Sequence, residues 1–308
     1  MAAGGGTKAI IAAFLANLGI AIAKFVGFLA TRSSSMLAES IHSAADAGNQ
    51  GLLLLGGRMA RRPPTPQHPF GYGRERYFWS FVVAMVLFAL GSVFSLIEGF
   101  EKVRHPHEIK SIGWAVAILA VGIVLESASF RTAIVEARHM KGDAGWWSFI
   151  RHSRNPELPV VLLEDAGALI GLVVAMAAVA AADATGEAAL DGVGTMTIGV
   201  LLGIIAITLA VEMKSLLIGE GAVAAQEKAI RAAIERSDDV VGLVHLRTQH
   251  LGPEELLVAA KVEFAPHMGV PALARAIDLI EEAVRAEVPI ARVIYVEPAV
   301  HQPQEAQS

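Results

Sequence analysis

The fold class predicted by this sequence is an all-α bundle of six transmembrane helices followed by a C-terminal α+β domain of ferredoxin-like type. Three observations predict it. Hydrophobic residues make up 54% of the 308 residues and mean hydropathy is +0.52, while charged residues fall to 18%, against the roughly 25% usual in soluble domains. Six apolar runs approach or exceed the ~20 residues that a bilayer core requires. After Gly219 the pattern becomes that of a soluble domain.

The runs cover residues 10–30, 36–60, 77–99, 114–135, 159–182 and 193–211. Lys8 is the one basic residue ahead of the first run, and no convincing cleavage site follows it, so this run reads as a first span and not as a signal peptide. Arg58, Arg61, Arg62, Arg74 and Arg76 lie between runs two and three, and Arg131, Arg138, Lys141, Arg151 and Arg154 flank the connection from four to five. The alternate connections carry far fewer basic residues. By the positive-inside bias both termini are cytoplasmic and the expected location is the cell (plasma or inner) membrane. The net charge of -5 says little about partners, because it averages a basic cytoplasmic face with an acidic tail; no nucleic-acid partner is expected. Expected divisions are a membrane domain over 1–218, a cytoplasmic domain over 219–300 and a disordered tail over 301–308, with residues 1–6 disordered as well.

The tail alternates its periods. Residues 222–236 carry Ile230, Ala233 and Ile234 on one helical side, and 240–249 and 256–264 read as strands joined at Gly252 and Pro253. Residues 271–287 open with proline and repeat Leu273, Ile277, Ile280 and Val284 as a helical stripe. A last strand covers 291–296. Helix, strand, strand, helix, strand over some 80 residues predicts helices on one face of a sheet.

Chemistry concentrates in the second run. His42 and Asp46 are four residues apart, and Glu39, Asn49 and Gln50 fall three or four residues from them, so all five share one helical stripe. An ionisable group in hydrocarbon costs about 2.5–3.5 kcal/mol on insertion scales, so such a stripe faces an interior with a task. The bland alternative is hydrogen bonding to neighbouring helices. The chain has no cysteine, which removes disulfides and thiolate metal sites. Any metal site must use His, Asp, Glu or neutral oxygen donors. Asn17 and Lys24 share a face of the first run and read first as interhelical partners; Glu126 is a proton-relay candidate that Arg131 could simply neutralise. Glu98, Glu212 and Lys214, near span ends, read as snorkelling.

Three ordered stretches carry a resemblance: S-S-S-M-L-A-E-S-I-H-S-A-A-D at 33–46, H-P-F-G-Y-G-R-E-R-Y-F-W at 68–79, and L-L-E-D-A-G-A-L-I-G-L at 162–172. Together they resemble the cation diffusion facilitator family, in its zinc transporter nine-like branch, over nearly the whole chain. The resemblance implies a homodimer of six-span protomers that exports a divalent cation, usually zinc, in exchange for protons. The metal is then cargo, and no resident cofactor is implied. It also implies a tetrahedral site made by a ligand pair on the second span and another on the fifth. His42 and Asp46 match the first pair.

The second pair departs from the family pattern. Four residues before Asp165 stands Val161, and four after Glu164 stands Ala168. Adjacent helical residues point about 100° apart, so Glu164 and Asp165 do not both aim inward without local help. Asp165 is expected as a direct ligand, with Glu164 as a fourth ligand or a proton carrier. The oxygen-rich set leaves manganese, iron or cobalt as alternatives to zinc. A membrane sensor or scaffold without transport is the other reading. An intramembrane hydrolase is disfavoured because no H-E-x-x-H helix or serine or cysteine nucleophile arrangement is present. Thr65 and Tyr72 near His68, and Val244, Ala260 and Tyr295 in the tail, stand where relatives can place further ligands. Only Glu297 keeps a carboxylate there, so the tail is expected to dimerise without a tightly bound metal cluster. Trp146 and Trp147 are expected at the membrane interface.

Overall fold

The structure is a computed structural model that describes residues 10–11, 14–15, 17–23, 25–26, 29, 34–106, 112–143 and 145–299, with the side chains of 34–43 outside the description. The chain divides into two compact units, residues 1–59 with 76–214 and residues 60–75 with 215–308. The expectations for residues 1–6, Lys24 and the tail after 300 lie outside the described residues.

In the first unit, four described helices are long and apolar enough to cross a membrane. These are span 3 (Glu75–Arg104), span 4 (Ile112–Lys141), span 5 (Glu157–Thr185) and span 6 (Ala189–Ile218). Helix is the local solution because hydrocarbon offers backbone groups no partners, so each must be satisfied within its own segment. Span 2 is a 26-residue helix, Ser34–Met59, whose apolar sequence is diluted by the polar stripe. The first predicted run is helical wherever it is described. Span 5 begins after Pro156 and ends at Gly186, whose φ of 74° is the left-handed terminator that a residue without Cβ adopts at little cost. Span 3 contains a π-helical segment, Leu87–Val93, that its hydropathy did not announce.

Outward residues such as Ile97, Trp114, Val124, Val173 and Ile204 are apolar and exposed, as a lipid-facing surface requires. The interior is apolar and buried near the basic connections. There Leu53, Val83, Ala137, Leu158, Val161 and Leu209 belong to one buried cluster. A short helix, Trp146–His152, precedes span 5. Lys141 Nζ lies 5.3 Å from the Trp146 ring centre and the Arg151 guanidinium 5.9 Å from that of Trp147. Both rings are exposed, the placement an aromatic belt needs.

The second unit runs α1 (Ala224–Glu235), β1 (Val240–Gly252), β2 (Glu255–Phe264), α2 (Val270–Glu287) and β3 (Ala291–Ala299). Its three-stranded sheet has the order β1-β2-β3, with β1 antiparallel and β3 parallel to β2. Along β2 every second side chain from Leu256 to Phe264 is buried. That face packs with Ile230 and Ile234 of α1 and with Ile280 and Val284 of α2, so the helix–strand–strand–helix–strand order and the one-sided core both follow the sequence periods. Residues 60–75 group with this unit because Gly73 packs directly on the backbone at Leu251 and Gly252.

Candidate metal and proton site

Span 2 carries the polar stripe down one side. His42 lies one helical turn before Asp46, and its side chain is outside the description. Asp46 is half-buried and Asn49 and Gln50 are buried. Facing them is Glu164 on span 5, buried to 5% exposure. Asn49 Nδ2 donates to Glu164 Oε1 at 2.6 Å and Gln50 Nε2 to Oε2 at 3.3 Å. Asn17 Nδ2 donates in turn to Gln50 Oε1 at 3.4 Å, which is the interhelical role expected of it. Asp165 turns another way. Its Oδ2 accepts a 2.9 Å hydrogen bond from Ser129 Oγ on span 4. The 100° separation of adjacent helical residues is thus resolved by sending one carboxylate to span 2 and the other to span 4.

Between the spans lies a cavity of about 370 Å³ whose polar lining includes Asp46, Asn49, Glu126 and Glu164. Asp165 is not part of that lining. The cavity continues past Ser95, Glu98 and Lys102 late in span 3 and Thr195 early in span 6, which is the end away from the basic connections. Lys102 Nζ lies 3.3 Å from Glu98 Oε1 and 3.2 Å from Asp191 Oδ2. Glu98 is therefore a wall of the cavity and an ion-pair partner, where snorkelling had been expected. Glu212 is likewise paired, 3.0 Å from Arg151 Nε. Leu87, Leu90 and Gly91 of the π segment also line the cavity; π-helical turns inside helices recur at functional sites. The one sequence hint was the Gly91–Ser92 pair, since such pairs loosen helices.

The opposite end is closed. Arg76 Nε lies 3.2 Å from Glu157 Oε1, with the two side chains only 7% and 4% exposed. Tyr77 beside it is fully buried and donates its hydroxyl to Arg154 O at 3.3 Å. In the sequence Arg76 reads only as one of the basic residues that orient the chain, and Glu157 carries no signal of its own, because burial is not visible in a charge count.

Among the described residues no group of three or more His, Asp or Glu is gathered tightly enough to hold a metal; the side chain of His42 lies outside the description. In the connection 60–75, Thr65 Oγ1 and Tyr72 OH are 3.1 Å apart and the His68 ring lies 4.6 Å from that of Tyr72. In the second unit, Lys261 Nζ donates to Glu297 Oε1 at 2.8 Å and holds that carboxyl below its usual range. Tyr295 is exposed on the sheet face opposite the helices, paired across from Ala259.

Residues 10–218 match the model of the cation efflux transmembrane domain, and 224–299 that of the cation efflux protein cytoplasmic domain. The chain belongs to the cation efflux family. This is the family that the three sequence stretches resemble, and membership sets the hydrolase reading aside. Among curated members, the human protein named Proton-coupled zinc antiporter SLC30A9, mitochondrial, is 31% identical over 78% of this chain and 43% of its own length. Metal tolerance protein C4 of Arabidopsis thaliana is 30% identical over 85% of this chain and 58% of its own. The chain thus spans about half the length of these relatives. Solved structures of MamM-CTD variants align with 26% of this chain at 21% identity and a TM-score of 0.25. As a cation efflux protein the chain is a multi-pass membrane protein. The names of the SLC30A9 relatives place those proteins in mitochondria, which lends no support to a cell-membrane location.

Proposed function

We propose that this cation efflux protein moves a divalent cation, zinc first, across a membrane in exchange for protons, using His42, Asp46, Glu164 and Asp165. The observation that carries the reading is the shared cavity: Asp46 and Glu164, from different spans, line one space between the helices. Glu164 is the better-placed ligand of its pair because it stands on the cavity wall. Asp165, bonded to Ser129, is assigned to protons. Imidazole with carboxylates suits zinc, and the oxygen content keeps manganese in the comparison.

Antiport follows from ligand chemistry. A cation binds only neutral imidazole and ionised carboxylate, so protons and metal compete for the same lone pairs and each displaces the other. A cavity that reaches past Glu98 and Lys102, with an ion pair closing the basic end, suits a state that releases metal away from the basic face. The second unit would join two such protomers, as its match to the cytoplasmic domain model and the exposed Tyr295 face suggest. The test is zinc uptake into proteoliposomes under an imposed proton gradient, with manganese as competitor. The parent chain should accumulate zinc and release protons, and Asp46→Ala should lower the rate to background. Undiminished transport by Asp46→Ala would refute the assignment.

A further inference from the structure

We propose that Asn49, with Gln50 on the second carboxylate oxygen, is a positioning residue that aims the Glu164 carboxylate at the transported cation. The inference rests on the cation-transport reading above. It answers how a fifth span with Val161 where a ligand would complete the four-residue spacing still supplies an oxygen to the site.

A glutamate has three side-chain torsions and by itself samples many directions. Here each of its oxygens meets one amide, Asn49 Nδ2 at Oε1 and Gln50 Nε2 at Oε2. Two donors on two oxygens fix the plane of the carboxylate as well as its position. An ionised carboxylate has roughly four acceptor sites, so two amide bonds leave about two for a cation. Both donors are neutral, which matters: an ammonium or guanidinium in their place would hold Glu164 equally well but would repel a dication. Both amides are buried, Asn49 to 4% and Gln50 to 0% exposure, so the helices hold the two donors in place.

The sequence placement fits this role. Asn49 and Gln50 follow Asp46 by three and four residues, so the helix face that presents Asp46 also presents the clamp. Asn49 itself lines the cavity. The competing explanation is that the amides simply stitch spans 1, 2 and 5 together, as polar side chains do in membrane helices. That role would not change the coordination of a bound ion.

The experiment compares the full-length parent with Asn49→Ala and Asn49→Ser in detergent, reading zinc affinity by chelator competition and the visible absorption bands of bound cobalt(II). Loss of an outer-shell partner typically costs 10- to 100-fold in metal affinity. Asn49→Ala should therefore bind zinc on the order of tenfold more weakly, with shifted cobalt bands as the Glu164 oxygen leaves the ion. Asn49→Ser, which keeps a shorter donor, should fall between. Affinity within twofold of the parent, or weakened affinity with unchanged cobalt bands, overturns the proposal; the second result leaves only stitching. Should Asn49→Ala not fold, Asn49→Ser and Gln50→Leu carry the same comparison. A parent that binds zinc but shows no proton-coupled flux would fail the transport reading while leaving this binding comparison intact.

Discussion

Two neighbouring carboxylates receive opposite assignments because their hydrogen-bond partners sit on different helices. Glu164 has amide donors from span 2 and borders the cavity; Asp165 has the Ser129 hydroxyl of span 4 and does not. Glu164→Gln should thus weaken zinc binding by more than the roughly 10- to 100-fold that loss of an outer partner costs, whereas Asp165→Asn should stay below that range. Chelator competition on both variants checks the order, and equal losses would make the two carboxylates joint ligands. The sequence alone could state that the side chains diverge, since 100° per residue is a property of the helix. It could not state which one faces the cavity, because that depends on where spans 2 and 4 pack. The Asp46–Asn49–Gln50 stripe was legible for the complementary reason: its three- and four-residue spacing is read along one helix and needs no knowledge of neighbours.

At the scale of elements, hydropathy showed the spans and alternating burial showed the sheet, since both patterns repeat along the chain. The π segment of span 3 was not legible. A wider turn depends on packing against the neighbouring helix, and the Gly91–Ser92 pair, which can loosen a helix, does not by itself encode one. That neighbour is span 6, and the two backbones approach closely. A Cβ on Gly199 would lie 2.9 Å from Leu96 Cγ and 3.1 Å from Ser92 O, and one on Gly99 2.7 Å from the backbone nitrogen of Met196. Small residues let membrane helices pack this tightly where the hydrophobic effect supplies no attraction between them. Gly199→Leu must push span 6 off the wall that carries Leu87, Leu90 and Gly91. Overpacking costs about 1–3 kcal/mol where side chains can yield, and here the obstacle includes backbone. A lower thermal midpoint in detergent and loss of zinc binding are expected together. A Gly199→Leu protein with parental stability would show that the seam has slack.

For the whole molecule, the decisive contrast is between an end of the bundle with a cavity and an end with a buried ion pair. Under the proposed antiport the closed end opens in turn, so the Arg76–Glu157 contact parts during the cycle. Removing one partner of a buried pair costs about 3–5 kcal/mol, because the remaining charge is left without compensation. Glu157→Ala leaves the buried Arg76 guanidinium short of the carboxylate that lies 3.2 Å from it at the packed end. Water entering that end relieves it, which favours the conformation open toward the basic face. The chain has no cysteine, so a single Val161→Cys reports on this end without background labelling. Val161 is 1% exposed, and the introduced thiol should be nearly inert to a membrane-impermeant maleimide in the otherwise unchanged chain. Adding Glu157→Ala should raise its labelling rate severalfold from the basic side and leave the opposite side silent. Replacing both partners by Arg76→Met and Glu157→Leu removes the buried guanidinium as well as the carboxylate and should return labelling toward the starting rate. Equal rates with and without Glu157→Ala would mean that apolar packing around Leu158 and Val161 closes this end by itself.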